Sequence, residues 1–228
     1  MQWCVVCLVA LTAAGTETVE ADKEKPLEKV ARFAIGQVVS FVLDSPTTVE
    51  RVRLNSEEQL LELNNLKIAN PKGFDGDTAI FVENVRVQAD PKLLFSDEPV
   101  VRVVGVTGAS VNSEANLGRG FNLKKLLDNA MRFGEPKLLK RLPKKKWRIE
   151  KAVVETCEVN MITKLLEKQT TTKRLERFEM DFLGEDGKGM TADQAIVKVL
   201  KTLMEKADVP GAKEILPGVS LLDVLRNR

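Results

Sequence analysis

The side chains most capable of chemistry in this chain are its cysteines, because its 228 residues include no histidine. Histidine is the commonest general base near neutral pH and the commonest metal ligand. A serine or cysteine nucleophile would therefore need a lysine base or an N-terminal amine, and no motif supplies either. The sequence predicts a protein that is not an enzyme and that holds neither a metal nor a cofactor.

Two of the three cysteines, Cys4 and Cys7, form a Trp-Cys-x-x-Cys pattern that is typical of thioredoxin-like enzymes. A redox pair needs a strand followed by a helix N-terminus to lower the pKa of one thiol, and neither precedes residue 4. We therefore interpret both cysteines as part of an apolar segment. The remaining thiol, Cys157, then has no partner for an internal disulfide.

That apolar segment runs from Trp3 to Ala14 and is followed by a charged stretch. About a dozen apolar residues before small residues are typical of a secretory signal, with cleavage near Ala14. The run has no Lys or Arg before it, so the remnant of a longer membrane anchor is the alternative. Residues 1–15 are predicted to be a signal or anchor segment, and the protein is predicted to be exported.

An acidic, glycine-containing turn near residue 184 is the other candidate for chemistry. Asp181, Glu185 and Asp186 stand around Gly184 and Gly187. The turn lacks the alternating oxygen ligands and the final Glu of an EF-hand loop. We therefore predict an exposed turn and not a calcium site.

The charge balance argues against a nucleic-acid partner. The 35 basic and 33 acidic residues give a net charge of +2, tyrosine is absent and aromatic residues are sparse. The densest positive stretch includes Lys144, Lys145, Lys146 and Arg148. It is either a solvated loop or a contact for anionic lipid headgroups, which attract each nearby basic residue by about 1 kcal/mol.

Hydrophobic periodicity predicts three helices. Apolar residues recur every three or four positions from Pro26 to Leu43, from Asn122 to Met131, and from about 192 to 207. Thr191 and Gln194 match a capping box at the start of the last helix. The first helix is amphipathic, and it packs either on a sheet or in a membrane interface.

Six alternating runs predict strands at about 47–55, 58–69, 77–90, 99–114, 146–162 and 171–183. Short turns between most of them favour antiparallel pairing. Val52 and Leu54 begin the face that alternation makes apolar. The candidate lining of that face is Leu61, Leu63, Phe81, Val85, Val87, Val101, Val103, Trp147, Ile149, Phe178, Met180 and Phe182. The expected fold is α+β, with a curved antiparallel sheet forming a groove or half-barrel.

The length is that of one ordinary globular domain. We place it at residues 16–209, after the signal or anchor segment. Residues 210–228, with two Pro-Gly pairs, form a C-terminal tail that closes with a short helix around Leu221 to Leu225.

The stretch Leu66 to Phe74 places an Asn-Pro turn between two strands. Proline ends a ladder because it lacks the amide proton, and Gly73 permits a positive φ. This turn and its flanks resemble the AsmA-like group of bacterial envelope proteins over roughly residues 27–207. The matching pieces are 60–68, 79–87, 90–94, 99–108 with Glu114, 122–127, and 183–192 before the last helix.

The resemblance implies an antiparallel groove whose apolar lining shelters the acyl chains of phospholipids or glycolipids. It also implies a periplasmic or membrane-associated location in the bacterial envelope, with a membrane surface and other envelope proteins as partners. The chain is short for the family, which favours an accessory or single-module role. The alternative is a structural or interaction module whose sheet is sealed by its own helices, because the same one-sided strands are expected in both cases.

Overall fold

The computed structural model describes residues 24–90, 99–116, 118–133, 146–164, 168–182 and 189–209. Several predictions made above lie outside these residues. They are the signal or anchor segment at 1–15, the tail at 210–228, Lys144 and Lys145 of the basic stretch, and most of the acidic turn.

In the part of the chain that the structure describes, three helices form where the periodicity predicts them: α1 at Pro26–Leu43, α2 at Asn122–Phe133 and α3 at Ala192–Ala207. The amide of Thr191 donates to Gln194 Oε1 at 3.0 Å, as expected for a capping box. None of the described helices combines the length and the apolar character that crossing a bilayer requires.

Within the described residues, nine strands form one open sheet, which with the helices makes the fold α+β. The strands are β1 at Thr47–Asn55, β2 at Leu60–Ala69, β3 at Thr78–Gln88, β4 at Val100–Asn116, β5 at Gly120–Phe121, β6 at Arg148–Val154, β7 at Cys157–Lys164, β8 at Lys168–Leu175 and β9 at Phe178–Met180. The main path runs β1-β2-β3-β4-β6-β9, while β7 pairs with β4 and β8.

The sheet is mixed, which corrects the prediction of antiparallel pairing throughout. The long strand β4 pairs in parallel with β6 and with β7. The reason is the connection between β4 and β6, which contains β5 and α2 and is long enough to cross over. The pairings β1–β2, β2–β3, β3–β4, β6–β9 and β7–β8 are antiparallel.

Two of the predicted strands are each divided. The run at 146–162 forms β6 and β7, which lie end to end along β4. The run at 171–183 corresponds to β8 and β9, which pair with β7 and β6 respectively. Each division leaves two residues between the strands, 155–156 and 176–177.

All three helices contribute to a hydrophobic core on one face of the sheet. Apolar residues of α2 and α3, including Leu126, Leu127 and Leu203, are buried in one cluster with strand residues such as Val82 and Val159. A second cluster of Val49, Val52 and Leu63 is covered by Ala31 and Ile35 of α1.

Helix α1 also covers the outer edge of β1. Glu28 is buried, and its two carboxylate oxygens accept from the amides of Leu54 at 2.9 Å and Lys25 at 2.8 Å. Ser40 Oγ accepts from the amide of Thr47 at 2.7 Å. These side chains satisfy backbone groups that an edge strand would otherwise offer to another chain.

Candidate functional site

A crease crosses the sheet, and it decides which side chains share a face. Apolar residues that face the helices are spaced by three residues, not two, at one point in each of β1 to β4 and at the breaks between β6 and β7 and between β8 and β9. The pairs are Val49/Val52, Leu63/Leu66, Val82/Val85, Val106/Ala109, Val154/Cys157 and Leu175/Phe178. The two residues between each pair are polar or glycine and lie on the outer face. We call this row the crease.

The backbone at the crease departs from regular strand geometry. Asn65 has a φ of 52° and Gly108 a φ of 66°, both in the left-handed region. Pairing nevertheless continues across it, since the amide of Glu155 donates to Val106 O at 2.9 Å and the amide of Ala109 donates to Thr156 O at 3.0 Å. The crease therefore changes the phase of alternation without changing the strand register.

The change of phase corrects the predicted position of Phe81. Strict alternation groups it with Val85 and Val87, but Ile80 and Val82 are the core residues beside it. Phe81 pairs with Lys67 and lies half-buried on the outer face.

Three other predicted lining residues, Val101, Val103 and Ile149, also lie on the outer face. Val103 pairs with Gln88, whereas its neighbour Val104 pairs with Val87. Ile149 pairs with Val101 and takes the same face. The predicted phase of alternation in β4 is wrong, because Val100, Val101, Val103 and Val104 place valines on both faces and only pairing with β3 fixes the phase.

Two predicted lining residues lie outside the named strands. Trp147 forms a backbone bridge with Met190, in which each amide donates to the other residue's carbonyl at 2.8 and 3.0 Å. Phe182 follows β9 and is buried.

The remaining six predicted residues share the face toward the helices, as predicted. They are Leu61, Leu63, Val85, Val87, Phe178 and Met180. The strand register places Val104 and Val106 on the same face, although the sequence analysis did not include them. It also places Ala152 and Val154 of β6 beside them on that face. The three-residue spacing of apolar residues in each strand is the signal that could have found them.

The helices cover this face unevenly. On the side of the crease that holds Ile68, Val82, Val111 and Val159, the residues are buried under α2. On the other side, two rows of side chains lie between the crease and the ends of the strands, and seven apolar side chains in these rows are only half-buried. We call them the trough: Leu54, Leu61, Val85, Val87, Val104, Val106 and Met180.

The far end of the trough is charged. Arg148 and Arg102 lie on the trough face by alternation from Ala152 and Val104. Arg148 lies 3.6 Å from Glu150, and Arg102 lies 3.8 Å from Asp90. Of the predicted basic stretch, Lys146 and Arg148 are described and exposed. This end of the trough therefore carries both signs of charge.

The outer face carries a polar pocket of about 450 Å³ at the crease. Its lining residues are Glu50, Arg51, Arg53, Glu62, Asn64, Asn65, Asn84 and Arg86. Asn65 donates to Glu50 at 2.6 Å, Asn84 donates to Asn64 at 3.0 Å, and Arg86 pairs with Glu62 at 2.8 Å. These contacts tie adjacent strands together across the outer surface.

The Asn-Pro turn is held by a buried polar network. Glu114 is buried, and its carboxylate accepts from the amides of Asp75 at 3.0 Å and Gly76 at 3.1 Å. Asn122 is also buried and donates to Asn70 at 2.6 Å. The turn is a structural corner that joins the β2–β3 connection to β4 and α2.

The described part of the chain offers little for metal or thiol chemistry. It contains no group of three or more Cys, Asp or Glu side chains arranged to hold a metal ion. Burial, and secondarily the charge of Glu158, raises the pKa of Cys157 to about 11. A buried thiol of this kind is protonated and unreactive at neutral pH.

Comparison with known proteins leaves the family undecided. No protein-family model matches the chain. A search of curated proteins likewise finds no match.

Proposed function

We propose that this chain is a non-enzymatic lipid-handling protein of the bacterial cell envelope, in which the trough takes an acyl chain of a phospholipid or glycolipid. The observation that carries the proposal is the incomplete cover over the trough. Seven apolar side chains that share one face are left half-buried, although three helices pack against the rest of that face. The resemblance to AsmA-like proteins supports the same proposal.

One apolar row across the sheet, which includes most of the trough, is long enough for an extended chain. One row joins Leu54, Leu61, Val87, Val104, Ala152 and Met180 across six strands. At a strand spacing of about 4.8 Å, such a row is about 24 Å long. An acyl chain lying along it would contact the half-buried side chains on either side of Ala152, which is itself 1% exposed.

The chemistry of the trough favours a ligand without specific polar contacts. Each methylene that is buried contributes about 0.8 kcal/mol, so even a partly buried acyl chain binds without hydrogen bonds. The arginine and acidic side chains at the far end could face a headgroup, and their mixed charge suits a zwitterionic or an anionic one. No catalytic residue is needed for this function.

The proposed location is the periplasm or the membrane surface, reached through the apolar segment at residues 1–15. A membrane and other envelope proteins are the proposed partners, since a module of 228 residues would receive or deliver its lipid through them.

The second candidate is a structural or interaction module whose helices seal the sheet. The observation that favours it is the complete burial of the face beneath α2, where Val111 and Leu126 are both at most 1% exposed. In this case the trough would be a loosely covered part of the core and would hold no lipid.

Native mass spectrometry with lipid extraction of the purified protein distinguishes the two. Co-purifying phospholipid or glycolipid supports the trough. The matched variants are Val104→Gln, in the trough, and Val103→Gln, the next residue on the outer face, since both valines are half-buried. We expect Val104→Gln to lose the bound lipid and Val103→Gln to keep it. A wild-type protein that carries no lipid and takes up none from added vesicles would refute the proposal.

A further inference from the structure

Helix α1 carries an exposed apolar stripe on the side opposite its contacts with the sheet. Phe33 is 69% exposed, Phe41 is 64% exposed and Val30 is 45% exposed. Spacings of three and eight residues place these side chains on one side of a helix. The stripe extends over the twelve residues from Val30 to Phe41, or about 16 Å along the helix.

This exposure is unusual, because aromatic side chains normally lie inside a folded protein. Ala31 and Ile35, on the other side of α1, already pack on the sheet. A helix that is apolar on both sides is expected to be covered on both. Met131 of α2, which is 44% exposed, adds a further apolar side chain to the helical layer. Large exposed apolar groups of this kind mark a surface that contacts a membrane or a partner.

The surrounding charge favours an anionic membrane over a second copy of the chain. Helices α1 and α2 together contain five basic residues, Lys29, Arg32, Lys124, Lys125 and Arg132, against two acidic residues, of which Glu28 is buried. Arg32 pairs with Glu24 and Lys124 with Asp128, so the excess of positive charge comes from Lys29, Lys125 and Arg132. A symmetric dimer through this surface would bring two positive surfaces together. Anionic lipid headgroups would instead attract them.

The chain before α1 is compatible with the same orientation. Residues 15–25 separate the apolar run that ends at Ala14 from the first residue of α1. If that run remains in a bilayer, eleven residues can span at most about 40 Å, which keeps α1 near the membrane surface.

We propose that α1 docks on an anionic membrane surface, with Val30, Phe33 and Phe41 entering the interface between headgroups and acyl chains. The helix lies parallel to the bilayer and contacts it from outside, as interfacial amphipathic helices do. The proposal does not depend on the trough, because the stripe belongs to α1 and the trough to the sheet.

The test is sedimentation of the full chain with two kinds of vesicle, pure phosphatidylcholine and phosphatidylcholine mixed with phosphatidylglycerol. We expect binding to the anionic vesicles, and at least tenfold weaker binding for the variant Phe33→Gln/Phe41→Gln. The ring of Phe41 packs edge-on against that of Phe133, with 5.1 Å between the ring centroids, so replacing Phe41 also removes a contact within the protein. If the double variant is unstable, the single variant Phe33→Gln replaces it in the test. Phe81→Gln, on the outer face of the sheet, should bind as the wild type does.

Three results would overturn the proposal. One is a wild-type protein that sediments with neither vesicle. Another is a Phe33→Gln/Phe41→Gln variant that binds as well as Phe81→Gln. The third is a wild-type dimer in solution that Phe33→Gln converts to a monomer without any vesicle binding, which would assign the stripe to a second copy. A Val104→Gln variant that loses bound lipid but still binds vesicles would show that lipid uptake by the trough and membrane docking by the stripe are independent.

Discussion

Asn122 and Asn70, which are 52 residues apart in the sequence, are joined by a hydrogen bond of 2.6 Å in which Asn122 Nδ2 donates to Asn70 Oδ1. Asn122 Nδ2 also donates to Asn112 O at 2.7 Å. Asn122 Oδ1 accepts from the amides of Glu114 at 2.8 Å and Leu123 at 2.7 Å. One fully buried amide thus joins the Asn-Pro turn, the end of β4 and the start of α2.

Replacing Asn122 by Ala should destabilise the fold strongly. The substitution removes all four hydrogen bonds and leaves the buried amides of Glu114 and Leu123 without this acceptor. We expect the free energy of unfolding to fall by about 3 kcal/mol, because each buried group left unsatisfied costs about 1–3 kcal/mol. Urea denaturation measures the change. The control Asn116→Ala, at a half-buried position outside the network, should lie within about 0.5 kcal/mol of the wild type.

Gly108→Ala should destabilise the crease. Its φ of 66° is strained for alanine, and the added Cβ would overlap the carboxylate end of the Glu83 side chain. We expect a loss of about 2 kcal/mol or more in thermal or urea unfolding. The double variant Gly108→Ala/Glu83→Ala should recover only the part of the lost stability that comes from the overlap, because the strain at φ remains.

A matched control for that variant is Gly105→Ala, in the same strand. A Cβ added at Gly105 meets no atom within 4 Å. Equal destabilisation by the two glycine substitutions would show that the crease places no special requirement on residue 108.

The burial of Cys157 predicts a loss of stability at alkaline pH. The pKa of its thiol is raised from an ordinary value near 9 to about 11. Below pH 9 the thiol is protonated in both the folded and the unfolded chain, whereas between about pH 9 and 11 only the unfolded chain ionises. The free energy of unfolding therefore falls over this interval, by roughly 2–3 kcal/mol at 1.36 kcal/mol per pKa unit.

The measurement compares urea unfolding of the wild type and Cys157→Ala at several pH values. Lysines also titrate in this range, so the informative quantity is the difference between the two proteins. We expect that difference to change between pH 9 and 11 in favour of the alanine variant. Parallel curves would contradict the predicted burial of the thiol.

Glu28→Ala should expose the edge of the sheet. The amide of Leu54 on β1 loses its carboxylate acceptor, and so does the amide of Lys25 at the start of α1. We expect a destabilisation of about 1–2 kcal/mol. Light scattering should also show greater self-association, because an uncovered edge strand can pair with another chain. Glu57→Ala, at an exposed turn residue, should change neither property.

Local patterns in the sequence were enough to predict most of the elements. The helix at Pro26–Leu43 and the strand at Thr47–Asn55 have the predicted bounds. Apolar residues at helical spacing and β-branched residues in alternation each favour one backbone conformation, and this preference acts within a few residues. The pairing partners of β4 could not be predicted in the same way, because a parallel crossover depends on where α2 packs.

For the candidate site, too, part of the arrangement could be predicted from the sequence and part could not. The sequence alone determined that the strands alternate between two faces, since alternation follows from the geometry of an extended chain. Only the tertiary structure decided that Phe81, Val101, Val103 and Ile149 point away from Leu61 and Val85. For Phe81 the physical reason is the crease, where hydrogen bonds between neighbouring strands hold two consecutive residues on the outer face and thereby shift the alternation. For Val101, Val103 and Ile149 the reason is the pairing of β4 with β3, which fixes the phase of a strand that has valines on both faces.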